Sequence, residues 1–280
     1  MPTFETPQPV AVTIDLSLGD ARIIATDRTD TVVDVRPSDA ANPADVQAAE
    51  QTHVEYAAGR LLVKAPKQRG LGLFSKPGST DVTIELPSGS QLHGDAAAAA
   101  FRCAGRLGEC RVKTATGDIR LDQAGRLDLK TSTGDISVAQ AGGNAEVTGA
   151  GQVHIGRIDG TATIKNLNGD TRIGTVSGDA RLNSANGSIV VDHAQAGVTA
   201  STANGDIRIG EVVRGTVALK TAYGELEVGI RYGCAAWLDV STQFGTVRNE
   251  LNTAEDPGPS GDTVRVRART SYGDIVIRRA

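Results

Sequence analysis

"TATGDIRL" at residues 114–121 is followed by "TSTGDISV" at 131–138, and the phrase keeps returning along the chain. Aligning each Thr/Ser-x-x-Gly, with Asn166 in one place, on the alternating apolar residues after it puts the glycines at 117, 134, 151, 169, 187, 205, 224, 245 and 273. The intervals are 17, 17, 18, 18, 18, 19, 21 and 28 residues. Self-similarity at a nearly fixed period is the mark of a solenoid built from stacked units.

Each unit has the same internal grammar. Two residues past the glycine stand Ile119, Ile136, Val153, Ile189 and Ile207, and four residues past stand Leu121, Val138, Ile155, Val191 and Ile209. Alternation of period two makes each segment a short strand with one buried face. A second pair follows, such as Leu127/Leu129 or Val217/Leu219, so two strands and their corners fill one turn. A unit this short cannot hold a β-α-β crossover, which needs roughly 30 residues. Stacking coil on coil buries faces that one coil alone would leave wet. A β-sandwich would also space strands closely, but it has no reason to repeat one turn in one phase. The expectation is an all-β, single-stranded β-solenoid, a right-handed β-helix with coils of 17–19 residues, over residues 96–280.

Residues 1–95 read as a β-rich N-terminal section that caps the solenoid. "VAVTIDLSLGDARIIAT" alternates as strand, and Asn42-Pro43 starts a short helix through about 43–51, with Asn as cap and Pro at the first helical position. The stretch 67–78 looks mobile, and "NTAEDPGPSGD" at 252–262 reads as a loop, accounting for the 28-residue interval. "FRC" at 101–103 stands eighteen residues before "IRL", which makes Ala96–Ala100 a degenerate corner and Cys103 a buried, inert thiol.

Composition agrees with small residues packed in layers: 33 glycines, nine aromatics and one Met in 280 residues. A net charge of −4 supplies no electrostatic reason for nucleic acid to be the partner. "MPTFETPQPV" has neither a charged start nor an apolar core, and no run approaches the length of a membrane span. Three cysteines, 103, 110 and 234, suit a reducing compartment. A cytoplasmic location is expected, with no cofactor and no metal site.

The repeat also aligns surface columns. Asp118, Asp135, Asp170, Asp206 and Asp274 follow their glycines, as turn residues that bond backbone more readily than Ca²⁺. Arg120, Arg172, Arg208 and Arg248 lie two positions on, forming a solvated, salt-bridged face. The column three residues before each glycine (Thr114, Thr131, Thr148, Asn166, Ser184, Thr202, Thr221, Thr242, Thr270) is expected to link hydroxyls and amides between coils and to satisfy the corner's polar groups. Tyr223, Phe244 and Tyr272 share one pre-glycine corner position in the last three repeats, with Trp237 nearby. Exposed, these rings suit a protein or sugar partner; packed under the long loop, they would cap the last coil.

The "TGDI", "NGDI" and "YGDI" corners, with "LPSGSQL" and the early "LGDARI", resemble the bacterial putative-adhesin β-strand-repeat family, domain of unknown function 4097, over residues 10–280. The resemblance implies a β-solenoid, linked in some relatives to envelope-stress genes, and brings no catalytic motif. The function expected is therefore a non-catalytic interaction scaffold for a protein partner in an envelope- or stress-linked process. Two alternatives stand beside it. One is a glycan-binding, adhesin-like module using Tyr223, Phe244, Tyr272 and Trp237; the other is a polysaccharide-active β-helix enzyme, for which no placed carboxylate pair stands out.

Overall fold

The computed structural model describes residues 1–66, 78–251 and 262–280. Of the two stretches read as mobile or loop, only Gly78 and Asp262 fall among the described residues. The chain forms two compact units, Met1–Gln140 and Ala141–Ala280.

The second unit shows the repeat most plainly. Strands Ala145–Gly149, Ala162–Asn166, Ala180–Ser184, Val198–Ser201 and Gly215–Tyr223 make one wall. Val153–Ile158, Thr171–Val176, Ile189–Ala194, Ile207–Val212 and Leu226–Ile230 make the other. Each strand pairs in parallel with its counterpart one repeat later, so Ile155, Ile173, Val191, Ile209 and Val228 form one unbroken, fully buried column. The predicted β-solenoid is the fold, and period-two alternation selects the residues facing inward.

In the first unit two strands, Ala11–Thr26 and Gln91–Arg106, run past the corner without a break and pair in parallel along most of their length. Gly19 lies opposite Ala99, and Ala99 holds the place that glycine takes in later coils. The degenerate corner is thus straightened into strand. The boundary drawn from the sequence at 95/96 lies inside Gln91–Arg106. Upstream the pairing changes sense: Asp30–Pro37 runs antiparallel to Thr80–Pro87, and His53–Ala57 antiparallel to Arg60–Lys64. The three-residue strand Thr3–Glu5 pairs with Asp30–Pro37. Short or antiparallel outer strands end a parallel stack without leaving a long template edge. The helix, Pro43–Glu50, is capped by Asn42, whose side chain accepts the Ala44 N–H. Its buried Asp45 accepts the N–H groups of Asp39 at 3.1 Å and Ser79 at 2.9 Å, tying helix to strand.

The corner phrase has a chemical division of labour. Glycine is required because the coils touch there: a Cβ on Gly205 (φ 140°) would fall 2.5 Å from the Gly187 carbonyl carbon. The Thr hydroxyls link coils and satisfy corner groups as expected, through carbonyls and not through one another. Thr131 Oγ1 lies 3.1 Å from the Gly117 carbonyl oxygen of the preceding coil and 3.2 Å from that of Thr133. Thr202 and Thr221 repeat the pattern on Gly187 and Gly205. The hydroxyl satisfies a carbonyl that the turn removes from the ladder. The acid after the glycine serves the next coil: Asp118, Asp170 and Asp206 accept the N–H groups of Asp135, Ser188 and Glu225 at 3.0, 2.8 and 2.8 Å.

One expectation fails. The repeats do not stack in sequence order to the end. Thr263–Tyr272 pairs with Gly215–Tyr223 on one edge and with Ala235–Phe244 on the other. Ile275–Arg279 likewise lies between Leu226–Ile230 and Val247–Asn249. The coil 263–279 is therefore inserted, and the coil 235–249 becomes the terminal rung. The physical reason lies in the phrases themselves. "TAYGELEV" at 221–228 and "TSYGDIVI" at 270–277 both carry an acid after glycine and apolar inward residues. "TQFGTVRN" at 242–249 has Thr246 in place of the acid and Asn249 in the apolar column, and Asn249 turns its Oδ1 onto the Leu251 N–H. Such a coil can receive a neighbour on one side but lacks the groups to support another at that corner.

Candidate functional site

The pre-glycine corner is an outward column, and in the second unit it changes chemistry along its length. Asn186 Nδ2 donates to Asn168 Oδ1 at 3.1 Å, and Asn204 Nδ2 donates to Asn186 Oδ1 at 2.9 Å. The sequence marks Asn168, Asn186 and Asn204 as Asn-Gly turns; the structure adds that their amides bond one another from coil to coil. Asn204 is bridged to Tyr223, where the column turns aromatic.

Strand register then assembles the rings. Tyr223 lies opposite Tyr272, and Tyr272 opposite Phe244. Coil insertion puts Tyr272 in the middle, which sequence order does not. Ring centroids are 4.9 Å apart at 3° for Tyr223–Tyr272 and 4.8 Å apart at 8° for Phe244–Tyr272. The spacing is that of adjacent strands. The rings remain accessible, at 56% for Tyr223, 45% for Tyr272 and 61% for Phe244.

Trp237 joins the same rungs but not the same column. It stands on Ala235–Phe244, opposite Arg265, and is 70% exposed. With Thr216, Ala218, Asp239, Arg265 and Arg267 it lines a cleft of about 510 Å³ on the outer face. Asp239 takes Arg269 Nη2 at 2.7 Å and Arg267 Nε at 3.3 Å. The Arg269 hydrogen bond, with support from Arg267, holds its carboxyl below the usual value.

The other surface columns are engaged within the fold. Arg120, Arg172, Arg208 and Arg248 pair with Asp118, Asp192, Glu227 and Asp274. Exposed pairs of this kind contribute little each. Among the described residues no group of three or more His, Cys, Asp or Glu is placed to hold a metal ion. The three cysteines are free and buried; burial pushes the Cys103 thiol well up and that of Cys110 to about 12, leaving little reactive thiolate. Among the described residues no helix is long and apolar enough to cross a membrane.

Asp274 locks the terminal coil to the inserted one. Its Oδ1 accepts the Thr246 N–H at 2.8 Å, and Arg248 pairs with its Oδ2 at 3.0 Å. The Thr246 hydrogen bonds, then Arg248, lower its pKa from the ordinary 3.8. A folded-state value below the unfolded one gives stability that is present above the unfolded pKa and lost as pH falls through the folded one. Asp274→Asn should therefore melt below wild type at pH 7, with the gap closing on acidification below about pH 4. Thermal melts of both proteins across pH 2–7, in the range where carboxylates titrate, check it.

Comparison with known proteins follows the same lines. A search among curated proteins finds no match. Among solved structures, the chain is similar to a putative adhesin from Bacteroides fragilis, with 13% identity, TM-score 0.35, and 99% of this chain and 95% of that one covered. It is also similar to a putative lipid binding protein from Parabacteroides distasonis, with 11% identity, TM-score 0.45, and 100% and 95% covered. A putative cell adhesion protein from Clostridium sporogenes gives 10% identity, TM-score 0.28, and 100% and 98% covered. The model of the Toastrack DUF4097 family matches residues 11–278, nearly the whole chain, and the protein belongs to that family.

Proposed function

We propose that this chain is a non-catalytic interaction scaffold whose partner-binding surface is the outer face of its last three rungs. The observation that carries the reading is the exposed Tyr223–Tyr272–Phe244 stack on a rigid wall. An exposed aromatic cluster on a preorganised strand surface is what a protein partner buries with little ordering cost. The corner acids are occupied by backbone N–H groups and the arginine column by acids, so the repeated charges serve the coil. That supports binding over catalysis.

Ring geometry favours a protein partner over a glycan. Sugars stack on ring faces, but both faces of Tyr272 are covered by its neighbours. What the column presents to solvent is mainly ring edges, a surface for side-chain packing. Trp237 and the outer face of Phe244 stay open and keep the glycan reading as the second one. A cytoplasmic location and an envelope- or stress-linked process belong to the same proposal, the former resting on three free thiols and the latter on the family resemblance.

The test is capture from native lysate with wild type and with the triple variant Tyr223→Ala, Phe244→Ala, Tyr272→Ala. The expected result is one or more specific partners on wild type and at least a tenfold loss on a triple variant that still melts cooperatively, the scale of a hot-spot cluster. Equal capture by the folded variant would refute this surface. Retention on acidic or neutral polysaccharide resin that depends on Trp237 would favour the glycan reading.

A further inference from the structure

Among the described residues the terminal coil is an unguarded edge. Among the described residues Ala235–Phe244 pairs on one side only, with Thr263–Tyr272. Its ten residues, AAWLDVSTQF, contain no Pro, Gly, Lys or Arg. Their one charge, Asp239, is already neutralised by Arg267 and Arg269. Natural edge strands are ordinarily short, bulged, or defended by lysine or proline, as the three-residue Thr3–Glu5 illustrates at the edge of the first unit. The inward side chains are also less buried than those of the coil beside them. Val264, Val266 and Ala268 of the inserted coil are at most 2% exposed, whereas Ala236, Leu238 and Val240 of the terminal coil are only half-buried. Insertion of the coil 263–279 thus places a long apolar strand at the edge and leaves the polar-ended coil corner beside it.

We infer that this edge is an isologous interface at which a second copy of the chain adds its own Ala235–Phe244 strand antiparallel to the first. Symmetry and charge select the register. Opposed residues in an antiparallel pair point to the same face, so a two-fold axis that keeps both inward faces on one side passes through a residue. Centring on Asp239 sets two carboxylates directly opposite, which is unfavourable. Centring on Val240 overlaps residues 236–244 and opposes no like charges. It places Asp239 opposite Ser241 of the second copy, a hydroxyl donor beside that copy's Arg269, which lies opposite its own Ser241. Each Asp239 thereby lies near a cationic rung on both sides, and the half-buried Leu238 and Val240 of both copies are covered. The aromatic corner column lies at the end of each strand, so the dimer presents two such columns. The inference does not depend on which partner those columns take.

Sedimentation equilibrium of the full chain tests it, at concentrations up to about 100 µM, where a dissociation constant of 1 µM gives nearly complete dimer. The expected mass is twice the chain's 29.0 kDa. Val240→Lys should return the mass to that of one chain: a lysine on a half-buried terminal residue reaches water in the monomer, but two would meet across the axis in the dimer. Should this variant fail to melt cooperatively, Val240→Cys is the second arm. Opposed Cα atoms about 4.5–5.5 Å apart are within disulfide range, so V240C should form a covalent dimer under mild oxidation while wild type, with buried thiols, does not. A wild-type mass of one chain throughout would overturn the interface. A dimer with folded V240K, or one in which V240C does not cross-link, would overturn the two-fold centred on Val240. The V240K variant keeps Tyr223, Tyr272 and Phe244, so its partner capture reports on the proposed function separately from its mass.

Discussion

Gly205→Ala should cost on the order of 3 kcal/mol or more of the second unit's stability. The methyl group meets backbone, not a side chain that can turn aside: it would lie 2.5 Å from the Gly187 carbonyl carbon and closer still to its oxygen. Relief requires separating two coils at a point where Gly187 N–H donates to Asn204 O and Thr202 Oγ1 donates to Gly187 O. The φ of 140° adds strain for any L-residue with a side chain. Because Gly187 and Gly224 repeat the geometry on either side, the displacement cannot be absorbed locally. Gly59→Ala is the control, since nothing lies within 4 Å of its Cβ; its φ of 75° limits the cost to about 1 kcal/mol. Urea melts of the two variants should differ by at least twofold in free-energy loss.

Phe101→Ala should destabilise the first unit by about 3–5 kcal/mol, and the smaller loss in Phe101→Ile should be largely repaired from across the coil. Among the described residues Phe101 is the largest fully buried side chain, and it fills a place made by a glycine: a Cβ on Gly94 would lie 2.5 Å from the Phe101 ring. In the next coil the same two positions hold Val112 and Ile119, opposite Gly94 and Phe101 in register. One coil divides the volume as ring plus hydrogen, the next as two branched aliphatics. Phe101→Ile leaves a void and Gly94→Val alone clashes, but together they recreate the neighbouring coil's packing. The double variant should recover most of the stability lost by either single one, giving a coupling energy of roughly 1–3 kcal/mol in a double-mutant cycle. Simple additivity in denaturant melts would mean that the ring does not occupy the glycine's space.

Much of this architecture was legible because a solenoid converts sequence period into spatial neighbourhood. Ile155, Ile173, Val191 and Ile209 could be placed in one column from spacing alone, since each coil must return to the same phase to pair with the next. The helix start was legible from Asn42-Pro43, where a cap and a fixed φ act locally. The role of the corner acid was only half legible. A turn aspartate was expected to bond backbone, but its partner is the N–H of the following coil, a contact that exists only once coils are stacked. The Thr column was legible as a link between coils that satisfies the corner's polar groups, but its particular acceptor, a glycine carbonyl of the preceding coil, was fixed only by stacking.

The candidate site divides in the same way. That Tyr223, Phe244 and Tyr272 share a corner follows from phase, which the sequence by itself determined, together with the strands, the inward faces and the periodic glycines. That Tyr272 stands between the other two, that Trp237 lies beside Arg265 in the lining of one cleft, and that Ala235–Phe244 is an edge among the described residues were decided only by the tertiary structure. The period records position around the coil but not along it. The height at which each coil docks depends on which neighbour offers an acid for its corner N–H and apolar residues for its inward face. Thr246 and Asn249 offer neither, so the more complementary coil at 263–279 takes the inner place, and the exposed aromatic strand is left at the edge.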